Sequence, residues 1–159
     1  MFRKIVFILY VVLFIHAYSY AFQFEDYSWG QSIEEARELL RKSNKALVYA
    51  GSDKISYRDT ISGEPSQVSL LFTSKSQLLF MVQVVFDKYS AAEKIKDILT
   101  KIHGRPMKES PDLDRYIWSD DSGCVIGLSY GQGQVELIYS AGDSSKDGAK
   151  AAPAADFFR

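Results

Sequence analysis

Side chains that could carry chemistry are plentiful here, but no spacing among them makes a recognisable catalytic or metal-binding set. There is one cysteine, Cys124, and two histidines, His16 and His103. A structural zinc site needs a cluster of such ligands, and neither histidine stands in one. Asp112, Asp114, Asp120 and Asp121 gather in one stretch. They lack the alternating ligands, central glycine and terminal glutamate of a calcium loop, and Asp120 and Asp121 read as hairpin residues. A nucleophilic serine needs a base, and no Gly-x-Ser-x-Gly elbow occurs. Ser-Lys pairs and carboxylate pairs are numerous, and spacing selects none of them. Gly-rich phosphate and dinucleotide loops are missing from the sequence. The reading therefore assigns no catalytic, metal-binding or cofactor-binding residue, and no cofactor. Cys124 opens an apolar run and reads as a small core residue. His103 reads as a cation in the last turn of a helix.

Aromatic residues give the positive signal. Tyr116 and Trp118 are two apart in a strand-like run, so they share one face, with Ile117 on the other. If helices cover the Ile117 side, Tyr116 and Trp118 stand on an open face and are candidate partner contacts. Trp29 precedes Gly30 and the first helix and is expected to plug the core there.

The elements that position these residues follow from periodicity. Ser32-Ile33-Glu34-Glu35 and Ser90-Ala91-Ala92-Glu93 each carry the spacing of a capping box, in which serine and glutamate satisfy backbone donors reciprocally. The first helix is expected to run to about Ser43, with Ile33, Ala36, Leu39 and Leu40 as its apolar stripe and Asn44 as a left-handed stop. The second is expected over 90–103, with Ala92, Ile95, Ile98, Leu99 and Ile102 facing inward and Gly104 ending it. Strands are expected over 46–50, 55–60, 67–73, 77–86, 113–119, 124–130 and 134–139, joined by hairpin turns. The run 77–86 is apolar on both faces and reads as the most buried strand. The predicted fold is α+β, two-layer, with helices on one face of an antiparallel sheet. It is built from two helix-plus-hairpins halves, about 27–86 and 89–139, in the order α-β4-α-β3.

The ends have a different composition. Arg3 and Lys4 precede the apolar run Ile5 to Ile15, and Ser19-Tyr20-Ala21 offers small residues for cleavage. Residues 1–21 thus read as a signal peptide. An uncleaved anchor is the alternative, but the run is short of the roughly 20 residues that cross a bilayer. Residues 22–139 form the expected single domain, soluble once exported, and 140–159 a disordered tail ending in Phe157-Phe158. Without Arg3 and Lys4 the chain carries 17 basic residues against 20 acidic ones, a net charge of −3. That balance argues against nucleic acid, and nothing in it favours an anionic membrane surface. One cysteine cannot form an intrachain disulfide, so an exported domain of this kind must be stabilised by its core.

Tyr27-Ser28-Trp29-Gly30-Gln31-Ser32-Ile33-Glu34-Glu35-Ala36 resembles the opening of small, uncharacterised exported bacterial proteins, and Leu70-Leu71-Phe72-Thr73 with Leu78-Leu79-Phe80 extends the likeness. The helix-then-hairpins layout is similar to that of the tandem β-lactamase-inhibitor proteins, whose single unit resembles the small lipoprotein of the outer-membrane assembly machinery. The resemblance implies a protein binder without catalytic residues. The expected function is an exported, non-catalytic binding module, periplasmic or extracellular, acting on an envelope or extracellular protein. A small-ligand or lipid carrier and a small hydrolase are the alternatives.

Overall fold

The computed structural model describes residues 24–110, 114–119, 124–131 and 133–141. The proposed signal peptide, the tail from 142 onward, and Asp112, Asp120 and Asp121 lie outside the described residues. Along the chain the elements are α1 (Ile33–Lys42), β1 (Ala46–Ala50), β2 (Lys54–Ile61), β3 (Glu64–Phe72), β4 (Leu79–Phe86), α2 (Ala91–His103), β5 (Lys108–Ser110), β6 (Arg115–Ser119), β7 (Val125–Gly131) and β8 (Gln134–Ser140). All pairings between strands are antiparallel, and the strands form one sheet in the order β1-β2-β3-β4-β8-β7-β6-β5. The protein is therefore α+β.

Two strand features differ from expectation. β5 pairs with β6 where the sequence shows only a three-residue run after Pro106 and no clear alternation. β2 and β3 are longer than expected because Ser62 and Gly63, at φ 53° and 82°, close a two-residue turn. Positive φ at both central residues matches the right-handed twist of the flanking strands. Pro65 follows inside β3, opposite Thr60.

The register assigns the faces. Ile55, Leu70, Val82, Tyr139, Ile126 and Trp118 stand opposite one another across six strands. Tyr57, Val68, Val84, Leu137, Leu128 and Tyr116 form the next row on the same side. These residues share one buried cluster with Ile33, Ala36 and Leu40 of α1 and Ala91, Ala92, Ile95 and Leu99 of α2. Both helices thus bury their stripes against one face of the sheet. β4 is central, between β3 and β8, and Val82, Val84 and Phe86 are fully buried. In α2, Ala91 is buried where Ile102 was expected, and Ile102 is exposed.

The two helix starts diverge. Ser32 Oγ accepts from the Glu35 amide at 3.3 Å, and the Ser32 amide donates to Glu35 Oε2 at 2.9 Å, so the first capping box is complete. Ser90 has helical backbone angles and makes no side-chain cap bond. The amides of Ala91 and Ala92 instead donate to the carbonyls of Lys88 and Tyr89, both at 3.1 Å. The second expected capping box is not formed, because the preceding turn already supplies the acceptors. Helix ends follow expectation: Asn44, at φ 56°, lies just past α1, and Gly104, at φ 80°, caps α2.

Candidate functional surface

Tyr116 and Trp118 do share a face, but it is the helix-covered one. Trp118 is 1% exposed, and its indole N–H donates to the carbonyl of Gly104, at the end of α2, at 3.0 Å. Tyr116 is 9% exposed and stacks on Tyr130 with ring centroids 5.8 Å apart. The Lys96 ammonium sits 5.0 Å from the centre of the Tyr116 ring. The expected open aromatic face is therefore corrected: two large rings flank Ile117, and burying them removes more apolar area than burying the single isoleucine. Asp114 lies at φ 49° in the turn before β6.

The opposite face carries Ser56, Ser69, Gln83, Ile138 and Ile117 in one row. Ser56 and Ser69 bond through their hydroxyls at 2.9 Å, and Gln83 donates to Glu136. Met81, Ile138 and Ile117 on this face are themselves buried. The exposed apolar surface lies elsewhere.

Leu47, Val48 and Tyr49, consecutive on β1, are each more than half exposed. β1 is an edge strand, all five of its residues are exposed, and none is charged. Such an edge carries unpaired main-chain groups on its outer side and can accept another strand. A bulge between Leu47 and Tyr49 bends it locally. Its far end is held by Arg37, which donates from α1 to the carbonyl of Gly51 at 2.7 Å. Sequence periodicity identifies 46–50 as a strand; its place at the edge depends on which strands pair. The missed signal is three consecutive large apolar residues without a lysine or proline to blunt them.

Two surface hollows border α1. One, about 390 Å³, is lined by Arg37, Leu40, Arg41, Asn44, Lys45, Leu47, Ala50 and Ile55, and so lies between α1 and β1. The other, about 470 Å³, lies along Gln31, Glu34, Glu35, Glu38, Leu39 and Lys42. Neither is lined by β4.

Ionisable groups converge most closely at Lys45. Its ammonium pairs with Glu25 and, at 2.7 Å, with Asp59, and lies 4.8 Å from the centre of the Tyr57 ring. Tyr57 donates to Glu25 at 3.1 Å. Burial pushes the Lys45 ammonium down, but hydrogen bonds to Asp59 and Glu25 outweigh it and hold the pKa above its usual value. Burial likewise pushes Asp59 up, and the hydrogen bond from Lys45 outweighs it, so that carboxyl stays below its usual range. Both shifts favour the charged forms. A base poised near neutral pH would need the reverse. Burial also raises the Tyr57 hydroxyl far above its ordinary value.

A second cluster lies under α2. Tyr130 donates to Glu93 at 3.1 Å, its hydroxyl is 3.2 Å from that of Tyr116, and Lys96 pairs with Glu93 at 2.7 Å. The bond from Lys96 holds the Glu93 carboxyl below its usual range. Burial, followed by hydrogen bonds with Tyr116 and Glu93, raises the Tyr130 hydroxyl.

Cys124 is buried, and His103 is the last residue of α2. Among the described residues no three His, Cys, Asp or Glu side chains converge as a metal site would require, and no helix is long and apolar enough to cross a membrane. No protein-family model, curated protein or solved structure matches the chain.

Proposed function

We propose that this is an exported protein-binding module that engages a partner in the periplasm or outside the cell through its β1 edge. The observation carrying this reading is the exposed, uncharged edge strand with Leu47, Val48 and Tyr49 side by side. Edge strands of monomers are normally blunted by charge or proline, and strand addition is a common mode of protein recognition. Export is supported by the basic start, apolar run and small-residue cleavage signal of residues 1–21. A duplicated helix-plus-hairpins unit is supported by the sheet order, in which β1 to β4 run inward from one edge and β5 to β8 run inward from the other. The charged-state bias at Lys45 and Asp59 supports a structural rather than catalytic use of those groups.

Affinity capture from envelope extract tests the proposal, comparing the natural chain with the double variant Leu47→Lys, Tyr49→Lys. The expected outcome is a defined partner captured by the natural chain, starting at Phe22, and lost in the variant while its circular dichroism is unchanged. A captured set that is the same for both proteins would overturn the β1 reading.

A further inference from the structure

We infer that the groove between α1 and β1 receives an extended acidic segment of the partner protein, laid as an added strand along β1. This rests on the protein-binding reading and specifies the partner's chemistry. The groove has an apolar floor that includes Leu40, Leu47 and Ile55 and is bordered by Arg37, Arg41 and Lys45, with no carboxylate among its lining residues. On the other side of α1, the second hollow is lined by three carboxylates, Glu34, Glu35 and Glu38, against one cation, Lys42. One helix therefore separates a cationic hollow from an acidic one. An acidic segment is drawn to the β1 side and repelled from the other, while the chain as a whole carries little net charge, −1 in full and −3 without Arg3 and Lys4.

The three cations are not equally available. Lys45 is held by Glu25 and Asp59, and Arg37 by Glu34 and the Gly51 carbonyl. Among the described residues Arg41 pairs only with Glu38, three residues away, and its side chain is 75% exposed. An exposed pair of this kind is worth little and exchanges readily for a better partner. Arg41 is thus the cation free to turn toward an incoming carboxylate. Leu47 and Ala50 stand opposite Tyr57 and Ile55, on the helix side of the sheet. A strand added to β1 would direct alternate side chains to that same side. Apolar and acidic residues two apart would then meet the groove floor and Arg41 together.

The probe is a fluorescein-labelled, amidated peptide, Val-Thr-Glu-Thr-Leu-Thr-Glu, whose apolar and acidic residues share one strand face, with Val-Thr-Lys-Thr-Leu-Thr-Lys as its counterpart. Fluorescence anisotropy reads affinity at low and raised salt, and amide NMR shifts of the labelled protein locate the site. The expected result is saturable binding of the acidic peptide, at least about tenfold tighter than the lysine peptide and weakened by salt. Shifts should concentrate on residues 46–50. Arg41→Glu should weaken binding about fivefold, and Arg41→Gln by less. Equal affinity for both peptides, no saturation, or insensitivity to both Arg41 substitutions would overturn the inference. If β1-dependent capture of a partner survives that outcome, the acidic-segment inference falls alone. If capture is also independent of β1, the β1 reading falls with it.

Discussion

Ser32-x-x-Glu35 and Ser90-x-x-Glu93 have the same residues at the same spacing, yet they are used differently. At α1 the serine and glutamate turn toward each other and close a capping box. At α2 the serine caps nothing, and the glutamate is occupied by Lys96 and Tyr130. The tyrosine clusters beside the two helices differ in the opposite sense. The Lys45 cluster joins residues far apart in sequence, with Glu25 brought against Lys45 and the buried Tyr57, and its charged side chains are half-buried. The Lys96 cluster takes its lysine and glutamate from one turn of α2, with Glu93 66% exposed. The comparison teaches that a local motif is satisfied locally only when no tertiary partner or preceding turn competes for its groups.

The strongest way to break this comparison is at Trp118, which ties the end of α2 to the sheet. Trp118→Ala is expected to cost about 4 kcal/mol, most of it lost core packing. Trp118→Phe should cost nearer 1 kcal/mol, from the lost hydrogen bond to Gly104. Urea denaturation measures both. Equal losses would mean that the indole N–H, not the ring, holds α2.

A smaller effect is expected at the lysines. Lys45→Met leaves Glu25 and Asp59 facing each other, and should cost about 2 kcal/mol near neutral pH. Lys96→Met should cost about 0.5 kcal/mol, because its partner is solvated. The pH dependence of the Lys45 cluster gives a second readout. The Asp59 pKa is lowered on folding, so its contribution is present above about pH 4 and lost as pH falls through the folded value. The Lys45 pKa is raised, so its contribution is present below about pH 10.4 and lost as pH rises through the folded value. Lys45→Met should therefore flatten the stability profile at both ends. A profile as steep as the natural chain's would place those titrations elsewhere.

The smallest effects separate the two serines. Ser32→Ala should cost about 1 kcal/mol by removing a formed cap. Ser90→Ala should change stability by no more than about 0.3 kcal/mol, since its side chain makes no cap bond. Thermal melts of the two variants give the ordering, and equal shifts would erase the difference between the helix starts.

Much of the fold is legible in the sequence because it is local. Ala46–Ala50 emerges with its expected limits, and both helices end at the left-handed residues Asn44 and Gly104. The expected strands stop at 60 and resume at 67, whereas the structure carries both on to a turn at Ser62-Gly63 and accommodates Pro65 in β3. The candidate surface was not legible, since alternation places Tyr116 and Trp118 together without saying which side the helices take.

By itself, the sequence determines periodicity, turn chemistry and the scarcity of cysteine and histidine, because these depend on residue type and short spacing. The proposed compartment likewise rests on the composition of residues 1–21 alone. Only the tertiary structure decides that Trp118 is buried, that Ser90 is spared as a cap, and that Leu47, Val48 and Tyr49 lie on an edge. Each of these depends on which distant segments pair. That choice is made by the total apolar area the whole sheet can bury, which no single segment encodes.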